Sequence, residues 1–283
     1  MRILLLIPVV ILSVIFSLPL CRAQDDTAKD DTAKPDYPIS LARDGDAIYV
    51  VDLELPGVWK SDGAGQGVFV RGTRSFRQPL NRPRCIAVHP QGGVLVGDSA
   101  TREVFHVAAQ DAEPQALTQG KVGIAMALAV SPDGQTVYVG DAEQRAVLRF
   151  PIVGGEPETV VPVNARGLAF DSEGNLWAVT PDDDAIHRID VVGRSSEVVV
   201  KGRPFRYPNG LVWADGYGLV TDGYGKSIWK FTADGQTELW HEGEPLVGPV
   251  GIAVGDGVAL VADPKAKQVF EFSLIDKTFR SRF

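Results

Sequence analysis

Arginine side chains are concentrated in three connecting segments of this 283-residue chain. The segment 71–84 holds five arginines and no acidic residue, a second segment ends at Arg166, and the third is 201–209. A planar guanidinium binds a carboxylate, phosphate or sulfate through two parallel hydrogen bonds. Because the chain has a formal net charge of −8, these locally cationic segments predict binding of an anionic group. The alternative is a solvated basic rim whose guanidiniums pair with nearby aspartates.

Other residue types that often carry out chemistry form no motif. The four histidines lack H-x-H or H-x-x-E spacing, and the sequence contains no P-loop, G-x-S-x-G or C-x-x-C motif. Cys85 has no companion residues, so it is interpreted as a small buried residue rather than a nucleophile. The catalytic residues, if any, are therefore unknown from the sequence.

Composition and the N-terminus limit where the protein acts. Hydrophobic residues make up 45% of the chain, which is ordinary for a soluble globular protein, and the acidic balance argues against nucleic-acid binding. One positive charge, an apolar run from Ile3 to Leu20 and a small-residue site ending at Ala23 predict a signal peptide over 1–23. We therefore expect a secreted or periplasmic protein without membrane association after cleavage; an uncleaved membrane anchor is the alternative.

Residues 24–38 differ in composition from the rest. The pentapeptide Asp-Asp-Thr-Ala-Lys occurs twice in succession and is followed by Pro35. This charged stretch has no apolar periodicity, which predicts a disordered linker.

From residue 39 onward the chain repeats itself six times. Each copy has a short apolar run, a turn rich in Gly and Asp, a second apolar run and a third strand-like run. An aliphatic residue in the first run serves as the anchor of each copy, at intervals of 40 to 45 residues: Leu41, Ile86, Leu128, Leu168, Leu211 and Ile252. A repeat of this length with about four strands per copy is typical of a propeller blade. The sequence predicts an all-β fold over 39–283, a six-bladed β-propeller with four-stranded antiparallel blades.

A constant offset inside the copies supports this blade count. The second run ends in Asp, or in Thr180 in the fourth copy, and an aliphatic residue follows six positions later every time. The aliphatic residues are Val58, Val104, Val147, Ile186, Ile228 and Val269. The repeated Asp is interpreted as a hairpin latch rather than a catalytic acid, because catalysis does not need the same group in every blade. The acidic run 181–184 is interpreted as an exposed loop, with a Ca²⁺ site as the alternative.

The propeller register predicts which residues meet at the centre. The residue two positions before each anchor is expected at the mouth of the central channel: Ile39, Arg84, Met126, Arg166, Asn209 and Val250. The predicted binding site therefore has Arg84, Arg166 and Asn209 lining the channel. Arg206 and Tyr207 are expected to flank it, with Arg74 contributing from the segment 71–84, and Tyr207 is suited to stacking on a ring of the ligand.

Two motifs carry a resemblance to known families. The pattern Gly-Ile-Ala-Val followed by Leu-Val-Ala-Asp over 251–263 resembles NHL repeats. The segments 208–211 and 248–251 are similar to those of the gluconolactonase/senescence-marker family. This resemblance implies a metal enzyme in which a Glu, an Asn and an Asp of the channel ring hold one divalent cation.

Carried over by position, the resemblance gives an incomplete metal site. The Asn is Asn209, but the Glu position is Ile39 and the Asp position is Val250. A hard cation such as Ca²⁺ needs several oxygen ligands. Glu238, Glu242 and Glu244 are candidates for a displaced carboxylate.

These observations favour binding over catalysis. We expect an exported NHL-type propeller that binds an anionic small molecule, a glycan or a protein partner at an arginine-rich mouth, with no cofactor and no metal ligands. The alternative is a metal-dependent lactonase or related hydrolase, and only that alternative calls for Ca²⁺. A scaffold within a larger exported assembly is a third possibility.

Overall fold

The computed structural model describes residues 34–283, so the predicted signal peptide and residues 24–33 of the predicted linker lie outside the described residues.

Residues 34–283 form 24 strands in six four-stranded antiparallel sheets, and each sheet is built from consecutive strands. Blade 1 contains β1 Pro38–Asp44, β2 Ala47–Asp52, β3 Gly57–Asp62 and β4 Gly65–Arg71. Blade 2 contains β5 Pro83–Val88, β6 Val94–Asp98, β7 Glu103–Val107 and β8 Gln115–Ala116. Blade 3 contains β9 Ala125–Val130, β10 Thr136–Asp141, β11 Ala146–Pro151 and β12 Glu158–Val161. Blade 4 contains β13 Gly167–Phe170, β14 Leu176–Val179, β15 Asp184–Asp190 and β16 Ser195–Lys201. Blade 5 contains β17 Pro208–Ala214, β18 Tyr217–Asp222, β19 Ser227–Phe231 and β20 Thr237–Glu242. Blade 6 contains β21 Gly251–Gly255, β22 Val258–Asp263, β23 Gln268–Ser273 and β24 Phe279–Ser281. This arrangement confirms the predicted six-bladed propeller.

The apolar runs of the sequence become strands that are covered on both faces. In β2, β10, β18 and β22, five of the six residues are buried. Each blade lies between two others, so the side chains on both of its faces are removed from water and the strands read as continuous apolar runs. No helix among residues 34–283 is long and apolar enough to cross a membrane.

The hydrophobic core is divided among the boundaries between blades. Six clusters of buried residues lie one at each boundary, and the sixth joins blade 6 to blade 1. The six aliphatic residues at the constant offset are all fully buried. This common burial explains the offset, because the same position of every third strand packs against the neighbouring blade.

The ring closes without an exchanged strand. Blades 1 and 6 each obtain all four strands from their own segment. At their boundary Leu41 and Trp59 pack in one cluster with Leu260, and Lys267 forms an ion pair with Asp36 at 2.6 Å. The predicted linker ends earlier than residue 38, because Pro38 begins β1.

Candidate functional site

In five of the six blades a buried aspartate follows the apolar run of the second strand. It fixes the connections at the channel mouth, which is the end of the channel where the innermost strands begin. In blade 5, Asp222 accepts hydrogen bonds from the backbone N–H groups of Arg206 at 2.7 Å, Tyr207 at 2.8 Å and Gly225 at 3.0 Å. One carboxylate thus holds both the incoming connection and the hairpin turn, as the latch interpretation predicted. The equivalent carboxylates are Asp52, Asp98, Asp141 and Asp263.

Blade 4 holds its turn differently. The Thr180 hydroxyl donates to the carbonyl of Asp184 at 2.9 Å and accepts from the N–H of Asp182 at 3.1 Å. The side-chain amide of Asn164 donates to Asp182 at 3.3 Å. No group of three or more His, Cys, Asp or Glu side chains in residues 34–283 is arranged to hold a metal ion. The acidic run 181–184 therefore forms the turn that leads into β15.

The innermost strands of all six blades surround a central channel of about 630 Å³. The six residues that the register placed at the mouth all line it. The only charged side chains in the described lining are those of Arg43, Arg84 and Arg166, and no Asp, Glu or His of that range lines the channel. The channel of this acidic protein is therefore cationic.

Two of these three guanidiniums lack a carboxylate partner. Arg43, at the far end, donates to the carbonyls of Gly45 at 2.7 Å and Gly255 at 2.8 Å and forms an ion pair with Asp256. Arg84 donates from Nε to the Ser99 hydroxyl at 3.2 Å and belongs to none of the ion pairs found in residues 34–283.

Arg166 is the more unusual of the two. Its Nε is buried and has no hydrogen-bond partner in the described part of the chain. A buried N–H group without an acceptor is rare in folded proteins and raises the free energy of the state that contains it. Arg166 thus lines the channel with a guanidinium that has no acceptor for its Nε in the described residues.

Asn209 and Tyr207 complete the mouth on the side of blade 5. The Asn209 amide nitrogen donates to the Tyr207 carbonyl at 3.1 Å, so its carbonyl oxygen is directed elsewhere. The Tyr207 ring stacks on that of Tyr224, with centroids 4.7 Å apart. Tyr207 and Asn209 both line the channel.

Arg74 and Arg206 are not brought to the channel. Arg74 is exposed and pairs with Glu54 at 2.5 Å. Arg206 contributes its backbone N–H to the latch, while its exposed side chain is not part of the channel lining. Of the six predicted binding residues, the structure assembles Arg84, Arg166, Tyr207 and Asn209 around the channel, and the other two lie outside it.

Basic residues of the turns on this face pair with the next blade. Arg102 pairs with Glu143 at 2.7 Å, and Arg145 pairs with Asp182 at 2.9 Å. Such exposed pairs contribute little to stability individually, but they neutralise the turns. Within the predicted basic rim, Arg74 is paired with Glu54, in contrast to Arg84 and Arg166.

The residues of the mouth do not fit a divalent cation. Ile39 is buried, Val250 is apolar, and Asn209 offers one amide oxygen. Glu238 and Glu242 lie in the outermost strand of blade 5, and neither they nor Glu244 line the channel. These three candidates for a displaced carboxylate therefore lie away from the channel, because the connection that carries them begins at the rim of the propeller.

Cys85 is buried and unreactive in this fold. Its sulfur lies 3.5 Å from the carbonyl oxygen of Ala125. Burial raises the pKa of the thiol to about 12, so the thiolate needed for nucleophilic chemistry does not form near neutral pH.

Comparison with known proteins supports the fold. The family model for the SMP-30/Gluconolactonase/LRE-like region matches residues 20–202. Virginiamycin B lyase from Staphylococcus aureus is similar in structure, with a TM-score of 0.66, 12% identity and coverage of 90% of this chain and 85% of that one. A gluconolactonase from Xanthomonas campestris has a TM-score of 0.67 at 16% identity, with 82% and 84% covered. A chain of a nidogen/laminin complex has a TM-score of 0.68 at 16% identity, with 86% and 90% covered. No curated protein matches the sequence. At these identities the structural likeness establishes the fold alone.

Proposed function

The chain belongs to the SMP-30/Gluconolactonase/LRE-like family, and from that premise we propose that it uses the family's propeller to bind an anionic ligand at the channel mouth. The ligand is a small molecule that presents a carboxylate, phosphate or sulfate group. An acidic glycan or an acidic protein segment presents the same chemistry. Arg84 and Arg166 bind the anionic group, and Asn209 accepts a hydrogen bond from the ligand.

The observation that carries this proposal is the pair of unpaired guanidiniums in a channel without carboxylates. Transfer of a charged group out of water is costly unless a partner compensates it. Elsewhere in the described chain, arginines such as Arg43 and Arg145 have that partner within the protein. Arg84 and Arg166 do not, so an anion from solution supplies the missing countercharge.

Isothermal titration with inorganic phosphate and with sulfate tests the proposal. The variant Arg84→Gln/Arg166→Gln removes both guanidiniums from the channel. The matched control, Arg74→Gln/Arg206→Gln, makes the same change in net charge outside the channel. A charge-assisted hydrogen bond contributes about 1.5–3 kcal/mol, so the channel variant is expected to lose more than about tenfold in affinity per arginine.

The control variant is expected to keep the wild-type affinity apart from a small long-range effect that disappears at high salt. An equal loss in both double variants would show that only the net charge of the protein matters. Absence of binding by the wild-type protein to either anion would overturn the proposal.

A lactonase activity is the second candidate, and membership of the family is what favours it. It requires a divalent cation, for which the mouth has one oxygen-bearing side chain in the predicted ring, that of Asn209. Elemental analysis of the purified protein distinguishes the two functions. A stoichiometric metal together with chelator-sensitive lactone hydrolysis would replace the binding proposal.

We also propose that the protein acts outside the cytoplasm. The basis is the sequence of residues 1–23, which has the charge, apolar run and small-residue site of a signal peptide. Sequencing of the mature N-terminus is expected to give Gln24 as the first residue. A mature protein that retains Met1 in the cytoplasmic fraction would contradict export.

A further inference from the structure

The channel mouth is divided into two chemically different halves. Arg84 comes from blade 2 and Arg166 from blade 4, so the cationic side chains are on the side of blades 2 to 4. On the opposite side, Tyr207 comes from blade 5, Pro264 from blade 6 and Tyr37 from blade 1, and all three line the channel. A ligand that fills the mouth therefore meets charge on one side, and on the other side it meets aromatic and apolar groups next to the Asn209 amide.

The repeat explains why the two tyrosines lie on the same side. Tyr37 and Tyr207 each stand four positions before the anchor of their blade, and blades 1 and 5 both adjoin blade 6. The same position is Arg82 in blade 2 and Asn164 in blade 4. It is Ile124 in blade 3 and Gly248 in blade 6, so tyrosine occupies this position in blades 1 and 5 alone among the six copies.

Both tyrosines are exposed to solvent. The tyrosines with large exposed fractions in residues 34–283 are Tyr37 at 38%, Tyr207 at 39% and Tyr224 at 63%. Tyr37 and Tyr207 line the channel, and Tyr224 stacks on Tyr207 with an angle of 25° between the ring planes. Exposed aromatic rings grouped beside a cavity are typical of binding sites.

The Tyr207 ring is also held in place before any ligand arrives. Its N–H donates to Asp222 at 2.8 Å, and its carbonyl accepts from Gly223 at 3.0 Å. Tyr224 supports the ring from one side, and the Lys265 amino group lies 5.5 Å from the centre of the Tyr224 ring. A rigid aromatic surface loses little conformational entropy on binding.

We infer that the ligand of the mouth is an anion that carries a ring able to stack on an aromatic side chain. The ring lies against Tyr207 on the aromatic side, and the anionic group meets Arg84 and Arg166 on the cationic side. Aryl carboxylates and aryl phosphates have this chemistry, and so do acidic sugars, whose apolar ring face also stacks on tyrosine. The inference rests on the proposed anion binding and adds the class of molecule that brings the anion.

Titration with three phosphate esters of different substituent tests the inference. Methyl phosphate supplies the anion alone, phenyl phosphate adds an aromatic ring, and glucose 6-phosphate adds a sugar ring. An aromatic stacking contact adds a factor of about two to ten in affinity beyond area burial. We expect at least one ring-bearing ester to bind about tenfold more tightly than methyl phosphate, and the tighter of the two identifies the ring.

Two variants locate the ring. In Tyr207→Leu, which keeps an apolar side chain without a ring, the ring-bearing ester and methyl phosphate are expected to bind equally. Phe279→Leu is the matched control, because Phe279 is a half-exposed aromatic residue in the outermost strand of blade 6 and does not line the channel. It is expected to keep the wild-type ratio.

The outcomes separate this inference from the proposed function. If the three esters bind the wild-type protein equally, the ring inference is overturned and the anion site stands. If Tyr207→Leu keeps the wild-type preference, the ring does not lie on Tyr207 and the inference is wrong. If no ester binds at all, the proposed function itself fails.

Discussion

Replacement of Arg166 by methionine should make the ligand-free protein more stable. The Nε of Arg166 is buried without a partner, and an unsatisfied buried donor costs about 1–3 kcal/mol. Methionine keeps most of the length of the side chain and removes the donor and the charge. Allowing for some lost packing, we expect a gain of about 1 kcal/mol, which corresponds to a rise in Tm of roughly 2–4 °C for a domain of this size.

Arg84→Met is the internal comparison for this prediction. The Nε of Arg84 donates to the hydroxyl of Ser99 at 3.2 Å, so the substitution removes a made hydrogen bond and should give no gain. Both variants are measured by thermal and denaturant unfolding in buffer without oxyanions. A loss of stability in Arg166→Met equal to that in Arg84→Met would refute the idea that the Arg166 donor is unsatisfied.

Ligand should reverse the order of stabilities. A bound anion stabilises the wild-type protein by an amount that grows with the logarithm of its concentration over Kd. Arg166→Met has lost half of the site and gains less. With a saturating concentration of a binding anion, the wild-type Tm is therefore expected to exceed that of the variant.

Three further predictions concern the buried polar groups. Burial lowers the pKa of His89, and the neighbouring His106 lowers it further. The folded state then binds fewer protons than the unfolded state, so stability falls as the pH drops below the unfolded pKa of about 6.5. In His89→Phe, the free energy of unfolding measured from pH 7.5 to 5.5 should therefore depend less on pH. Cys85 should react with a thiol reagent only when the protein unfolds, and rapid labelling of the native protein would contradict its burial. Asp98→Asn should cost about 1–3 kcal/mol in denaturant unfolding because one of its two acceptor oxygens is lost, whereas Asp133→Asn in an exposed turn should cost much less.

The sequence predicted the fold in detail because the repeat encodes it six times. Val58 and its five equivalents have the same offset from the latch residue and are all fully buried. The register two positions before the anchor likewise identified Arg84, Arg166 and Asn209 as channel residues. Both predictions depend on local chain geometry, which a repeated pattern fixes.

The rest of the site depends on contacts between blades, which local patterns do not encode. Arg74 belongs to the long connection into blade 2, and its pairing with Glu54 is decided by where that loop lies across blade 1. Arg206 is adjacent to Tyr207, yet only Tyr207 lines the channel. The partnerless Nε of Arg166 and the stacking of Tyr224 have no signature in the sequence.

The boundary between blades 1 and 6 has a consequence for how the ring assembles. In residues 34–283 every strand pairing is made within a blade, between segments close in sequence. The bond from Arg43 to the Gly255 carbonyl, by contrast, joins residues 212 positions apart. Contacts of such long separation form late in folding, since the entropy of bringing distant segments together must be met before they are made. The blades can thus be added one after another, and the joining of the first to the last is the final step. On unfolding, the contacts between blades 1 and 6 are expected to break first. Hydrogen exchange should therefore find the amides of this boundary less protected than those of the other five boundaries between blades.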